Sequence, residues 1–299
     1  MSSKGEMSEG LKSGQLPGVK TGMGFAKMES GIRKGVLSNI GRHDKTQDPT
    51  VGLFGSKKPI IFWLADYTNA TVASPAVTTI SNLMPGGTNL SNSGSGSLVY
   101  VYPGVLNNKA YIDLNSTNAR ILSGTTYLTG KNAMTVMMVA RMAYAGAGKI
   151  LYAFVNTSIS DTIGDILITA ESGQKVTVRF VGNPTTTLSV ADTFDNTIEG
   201  TNNNQWFLLT AKFRLYQPGG QGSEMEIYIN GKLNMNPTTS TFTGSTSNFS
   251  TQAINFGNNA TQASGGSQIA GALVLDYWAN SSEQIRLENF FRWYYGFRF

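Results

Sequence analysis

Cysteine is missing from all 299 residues, and histidine occurs once, at His43. The first absence excludes a disulfide framework, a zinc ribbon, an iron–sulfur cluster and a thiol nucleophile. The second removes nearly every His-dependent triad or metal site. Charge is sparse as well, with 14% charged residues beside 40% hydrophobic ones. No run of about 18 apolar residues is present to cross a bilayer as a helix. The opening MSSKGEMSEGLKSG lacks the apolar stretch of a secretory signal. A soluble chain is expected, with no membrane partner, no cofactor and little catalytic equipment, built as one large domain or two small ones.

What charge there is lies unevenly. Residues 1–58 hold 10 Lys/Arg against 5 Asp/Glu, and residues 59–299 hold 13 against 13, so the net +5 belongs to the first fifth of the chain. The neutral remainder argues against a sequence-specific nucleic-acid surface. Glycines at 5, 10, 14, 18, 22, 24, 31, 35 and 41 leave the first segment too little apolar surface to offset its own ordering entropy. It is expected to be a basic arm that orders only against a partner. Phe25, Met28, Ile32, Val36 and Ile40 follow helical spacing there, with Arg33, Lys34, Arg42 and Lys45 off the stripe. Gly31 and Gly35 weaken that pattern by roughly 1 kcal/mol each relative to Ala. Those residues are the candidate tether to a neighbouring subunit, and a strap folded on its own domain is the alternative. Gly22-Met23-Gly24 lacks the strand, third glycine and acidic residue of a phosphate-binding loop and is set aside.

From about residue 59 onward the pattern changes to period two. Val176, Val178 and Phe180 alternate with Thr177 and Arg179; Phe207, Leu209, Ala211, Phe213 and Leu215 face away from Thr210, Lys212 and Arg214. Met225, Ile227 and Ile229 alternate in turn and lead into Asn230-Gly231, a strong hairpin signal. Further strands are predicted near 60–65, 98–102, 110–114, 133–143, 149–155, 163–170, 186–191, 253–257 and 268–279. A dozen strands with almost no helix between them imply an antiparallel sandwich or barrel. At the end of the chain, Ser281-x-x-Gln284 fits a capping box, Leu287, Phe290, Phe291 and Tyr294 follow at helical spacing, and Gly296 supplies a stop. This helix is expected to seal a sandwich edge.

The order of these features resembles the concanavalin A-like, laminin G-type jelly-roll. The resemblance rests on Ile60-Ile61-Phe62-Trp63-Leu64-Ala65-Asp66, on Leu106 to Asp113, and on Met134 to Arg141. Trp206 leading through Lys212-Phe213 to Met225–Lys232 resembles the family's central hairpin. Ile254–Asn258, Ile269–Trp278 and Ser282–Phe291 resemble its closing strands and terminal helix. It covers roughly residues 59–299 and implies an all-β jelly-roll sandwich with one C-terminal helix, preceded by the arm at 1–58. Versions of this domain with such a helix are common in phage virion proteins and environmental adhesins, so a binding or structural module is implied rather than an enzyme.

That fold class also hosts glycan hydrolases and calcium-binding domains, so carboxylate groupings matter. Glu224 and Glu226 share one strand face about 7 Å apart, near the separation two-carboxylate glycoside hydrolysis uses. The family's hydrolases place a third member where this chain has Ile229, and both glutamates are expected on the solvent face. Asp161, Asp165 and Glu171 lie close in sequence without a recognisable calcium-ligand spacing. No catalytic residue and no metal ligand is assigned. Asp66 and Asp113 are expected as turn or cap residues, and Trp63, Trp206, Trp278 and Trp293 as core.

Any glycan contact is expected from the long polar loops at 82–97, 183–204 and 236–250, with Asn183, Asn196, Asn202, Asn203 and Asn204 as candidate contacts. Three functions follow. The first is a non-enzymatic virion structural protein, a capsid decoration, head-fibre or tail-accessory subunit made in the host cytoplasm. It would sit in an assembly with its own copies and other virion proteins. The second is a glycan-binding adhesin for a host surface, and the third a glycoside hydrolase.

Overall fold

The alternating segments become strands of two antiparallel sheets packed face to face. The computed structural model describes residues 53–54, 57–71, 74–92, 98–114, 120–123, 127–142, 149–154, 164–171, 175–183, 186–193, 206–215, 223–233, 238–239, 248–249, 251–257 and 267–296. The predicted arm residues Phe25, Met28, Ile32, Arg33, Lys34, Val36, Ile40 and Arg42 lie outside them.

The first sheet runs in the order β14 (Lys232–Leu233), β13 (Glu224–Ile229), β12 (Trp206–Arg214), β7 (Ala133–Met142), β17 (Ser267–Leu275), β5 (Lys109–Leu114) and β4 (Val99–Leu106). Two further strands, β1 (Ile61–Leu64) and β15 (Thr238–Thr239), pair with β17 and β13. The second sheet runs β11 (Thr186–Thr193), β10 (Lys175–Asn183), β9 (Ile166–Glu171), β8 (Lys149–Phe154), β16 (Asn255–Gly257), β6 (Arg120–Leu122), β3 (Leu90–Asn92) and β2 (Thr79–Ile80). This is the expected all-β sandwich. The strands absent from the sequence prediction are β2, β3, β6, β14 and β15, each of two or three residues, too short for period two to register.

One face of each sheet meets the other over the main core. Phe180 lies edge-on to Phe213 at 5.3 Å and Trp63 edge-on to Phe256 at 5.6 Å, and the buried Tyr152 hydroxyl donates to Met134 Sδ at 3.1 Å. Each contact joins a residue of one sheet to a residue of the other. The predicted Asn-Gly hairpin is present, with Asn230 at φ 55° and Gly231 at φ 78°, as a type I′ turn requires. Asn107-Asn108 makes the equivalent left-handed pair between β4 and β5, at φ 47° and 55°.

The C-terminal helix α1 (Ser281–Tyr295) begins one residue earlier than the sequence pattern indicated. Asn280, not Ser281, is the N-cap: its side chain accepts from Glu283 N at 2.9 Å, and Glu283 Oε2 accepts from Asn280 N at 3.1 Å. Asn280 prevails because it already has the extended backbone a cap needs, at φ −72° and ψ 165°. Gly296 ends the helix in the left-handed region at φ 71°, as expected.

The helix does not seal an edge. It lies across the outer face of the first sheet, where Leu287, Phe290, Phe291, Tyr294 and Tyr295 meet Phe62, Leu64, Met137, Val139, Leu208 and Leu273 in a second core. Five such side chains stabilise the contact by roughly 1.5–3 kcal/mol each. The cause is visible in the sheet residues. β12 buries Leu208, Thr210 and Lys212 on its outer face as well as Phe207, Leu209 and Ala211 on its inner one, so the outer face has apolar surface of its own to cover. Leu53 is buried in this second core, and Phe54 meets Phe62 edge-on at 5.5 Å. Among the described residues no helix is long and apolar enough to cross a membrane.

Candidate functional site

Because α1 crosses the middle of the outer face, the two ends of β12 project polar side chains on either side of it. At the C-terminal end, Lys212 is only 3% exposed. Its ammonium pairs with Glu226, which also accepts from the Tyr228 hydroxyl at 3.0 Å. Trp278 lies under two cations, Lys212 Nζ at 4.8 Å and the Arg214 guanidinium at 4.4 Å from the ring centre. Arg214 reaches Glu224 at 3.9 Å. Burial pushes the Glu224 carboxyl above its ordinary value and Arg214 opposes the shift. Further in, the buried Glu288 of α1 accepts from Thr210 Oγ1 at 2.9 Å and from Gln284 Nε2 at 3.0 Å.

Glu224 and Glu226 therefore do face away from Met225 and Ile227, but they are half-buried partners of cations rather than free solvent-facing acids. Ile229, where the family's hydrolases carry their third member, is buried in the main core.

At the N-terminal end of β12 the register brings four residues into one line. Trp206 is paired with Arg141 on β7, Arg141 with Gln268 on β17, and Gln268 with Asp113 on β5. With strands about 4.8 Å apart, the line spans about 14 Å. All four project outward, because their neighbours Phe207, Ala140, Ile269 and Ile112 face the main core. Gln268 is buried and links the charged pair: its Oε1 accepts from Arg141 Nε at 2.7 Å and its Nε2 donates to Asp113 Oδ2 at 3.0 Å. Tyr111, two residues before Asp113, leans across the sheet to meet the Trp206 ring edge-on at 5.3 Å. The Arg141 guanidinium sits 5.2 Å from the Trp206 ring centre and 5.8 Å from that of Tyr111.

Two atoms of this row are buried without a hydrogen bond among the described residues: Asp113 Oδ1 and Trp206 Nε1. An orphaned buried group costs about 1–3 kcal/mol. Burial drives the Asp113 carboxyl above its ordinary value, against the opposing pull of the Gln268 hydrogen bond and of Arg141. Tyr111, Asp113, Arg141 and Trp206 are each half-buried, so the row is partly open to solvent.

Among the residues singled out in the sequence, Asn183 closes β10 opposite Thr186, while Asn196, Asn202, Asn203 and Asn204 lie outside the described residues. Trp63 is core, as expected. Trp206 and Trp278 are half-buried beside cations, and Trp293 is 41% exposed. Asp113 is a strand residue of the row rather than a turn. Asp66 sits in the short 3-10 turn Ala65–Tyr67 and accepts from Ala110 N at 3.0 Å and from the Tyr294 hydroxyl. Asp165 is buried and accepts from Gln252 Nε2 at 3.2 Å, and Asp161 lies outside the described residues. Among the described residues no three His, Cys, Asp or Glu side chains come together as a metal site would need.

No protein-family model matches the chain, and no curated protein matches it. Solved structures do. The botulinum neurotoxin serotype C1 binding domain superposes with a TM-score of 0.52 at 16% identity, covering 78% of this chain and 52% of that one. The botulinum neurotoxin DC binding domain in complex with rat synaptotagmin II gives 0.52 at 16%, covering 78% and 51%. A botulinum neurotoxin type C structure, whose cell entry depends on interaction with two ganglioside molecules, gives 0.50 at 15%, covering 78% and 51%. The chain spans about half the length of these structures. At such identities the likeness is one of fold, and it agrees with the jelly-roll sandwich.

Proposed function

We propose that this chain is a non-enzymatic binding module that attaches to surface carbohydrate, an adhesin in the broad sense. The observation that carries the reading is the row of Trp206, Arg141, Gln268 and Asp113 with Tyr111 beside it. Aromatic faces next to a few convergent hydrogen-bonding groups, held on rigid strands, are the equipment a sugar site needs. The toxin structures sharing the fold are binding domains, one of them described with gangliosides, which supports a binding role. The carboxylates best placed for hydrolysis, Glu224 and Glu226, have cations as partners, which supports the absence of catalysis.

The test is a glycan array probed with the full chain and with Arg141→Ala and Tyr111→Ala. Binding to at least one glycan class, lost by about tenfold or more in the variants at unchanged melting temperature, is the expected result. A flat array with folded protein overturns the reading.

A second reading is favoured by the charge asymmetry. A virion structural protein of a tailed phage, anchored among capsid or tail subunits by the +5 segment at residues 1–58, would display the sandwich outward, and its location would be the virion. Leu53 and Phe54, packed into the second core, give such an arm a fixed root. Removing residues 1–50 is expected to leave the sandwich folded and glycan binding intact while abolishing incorporation into particles. Full occupancy of particles by the truncated chain would remove the tether. The two readings are compatible, since a virion protein can also adhere to host cells.

A further inference from the structure

We propose that the ligand of the Trp206–Arg141–Gln268–Asp113 row is an uncharged oligosaccharide, held through its hydroxyl groups, and that sugars bearing a carboxylate are discriminated against. This rests on the carbohydrate reading and adds the class of sugar.

The first ground is the charge of the row. Arg141 and Asp113 contribute one charge of each sign, and Gln268 stands between them with its amide oxygen accepting from Arg141 and its amide nitrogen donating to Asp113. That pair of bonds fixes the Gln268 amide in one orientation. A sugar carboxylate drawn to Arg141 would enter the field of Asp113, a carboxylate already disfavoured by burial. A sugar ammonium drawn to Asp113 would meet the Arg141 guanidinium in the same way. An uncharged ligand meets neither repulsion.

The second ground is the two orphaned atoms. Asp113 Oδ1 is an acceptor in need of a donor, and Trp206 Nε1–H is a donor in need of an acceptor. A hydroxyl serves as either, whereas a carboxylate only accepts. A polyhydroxylated ligand satisfies both with one kind of group, and a row whose backbone spans about 14 Å across four strands suits an oligosaccharide rather than a single ring. The third ground is apolar. The Tyr111–Trp206 pair, edge-on at 5.3 Å, offers aromatic carbon on which the C–H face of a pyranose packs.

The experiment uses the full 15N-labelled chain. Its indole N–H signal from Trp206 is identified by its loss in Trp206→Phe and followed on titration with lactose, maltotriose and diacetylchitobiose, and then with sialyllactose and digalacturonate. At least one uncharged sugar is expected to shift that signal, with affinity changing by less than about twofold between about 50 and 500 mM salt. Asp113→Ala is expected to weaken it by about tenfold or more. Asp113→Asn keeps an acceptor and removes the charge, so it should retain most uncharged-sugar binding and admit sialyllactose better than the natural chain does. Preference of the natural chain for the carboxylate-bearing sugars, with affinity falling steeply in salt, overturns this inference and leaves the adhesin reading intact. Sugar binding that leaves the Trp206 signal unmoved also overturns it, because the site then lies elsewhere. Absence of binding to every sugar by folded protein overturns the adhesin reading itself.

Discussion

The two ends of β12 are built from similar residues and come out differently. At the C-terminal end, Lys212, Arg214, Trp278, Glu224, Glu226 and Tyr228 form a closed cluster in which each cation has a carboxylate partner and lies over a ring. At the N-terminal end, Trp206, Arg141, Gln268, Asp113 and Tyr111 form a row that leaves an indole N–H and a carboxylate oxygen unused. Matched buried charges specify how α1 and the hairpin sit on the sheet. Hydrogen-bonding atoms left unused beside a partly open surface carry a desolvation cost that a ligand can relieve. Aromatic rings beside cations do not by themselves mark a site; spare hydrogen-bonding capacity is what separates the two ends.

The most severe way to break this contrast is to open the closed end. Glu226→Ala leaves the Lys212 ammonium, 3% exposed, without its carboxylate, and loss of one partner of a buried pair costs about 3–5 kcal/mol. A large fall in the urea midpoint is expected, while sugar affinity per folded molecule stays unchanged. Replacing both partners, as in Glu226→Leu with Lys212→Met, should recover most of that loss, because no buried charge is then left alone. A single-variant cost below about 1 kcal/mol would mean that water reaches Lys212 and that the end is not closed.

The next effect in size concerns what separates the two ends. On β17, Gly271 lies where β5 hands over to β1 along the strand edge, beside the register shift between Ile269 and Gly271. A Cβ there would stand 2.7 Å from the Tyr295 hydroxyl oxygen and 2.9 Å from both Leu64 Cδ2 and the Trp63 carbonyl oxygen. Tyr295 would have to give up its 2.7 Å bond to the Ala270 carbonyl. Gly271→Ala should cost about 1–3 kcal/mol through overpacking, read as a lowered melting temperature. Since Tyr111 and Trp206 pack against the same second core, sugar affinity should fall with it. Glu226→Ala should have no such effect.

Much of the fold was legible because the sequence signals it rests on are local. Period two found the long strands, Asn230-Gly231 found the hairpin, and Leu287, Phe290, Phe291 and Tyr294 found the buried stripe of α1. The position of α1 was not legible, since nothing local distinguishes a helix on a sheet edge from one on a sheet face. The clue lay in Leu208, Met137 and Leu273, apolar residues on the supposedly polar side of their strands. The row was invisible for a stronger reason. Asp113, Arg141, Trp206 and Gln268 are scattered across about half the chain, and only the register of four antiparallel strands aligns them. A register slip of one residue would turn each to the other face.

The smallest effects compare the two ends through their carboxyls. Burial raises the folded-state pKa of both Asp113 and Glu224. An acid with a raised folded-state pKa holds its proton more tightly in the folded chain than in the unfolded one. Its contribution is fully present below the ordinary carboxylate value and is lost as pH rises through the raised one. Relative to Asp113→Asn, which cannot ionise, the natural chain should therefore lose stability as pH climbs from about 4 toward 7. Relative to Glu224→Gln it should lose less, because the ionised Glu224 gains its ion pair with Arg214 at 3.9 Å. A pair of that length is worth about 1 kcal/mol or less, and because the net shift of Glu224 remains upward it flattens the profile without reversing it. Paired urea titrations of the natural chain and both variants across that range measure the two slopes. A steeper loss at Glu224 than at Asp113 would mean that the N-terminal end of β12 is the better-satisfied one, which inverts the contrast on which the sugar site depends.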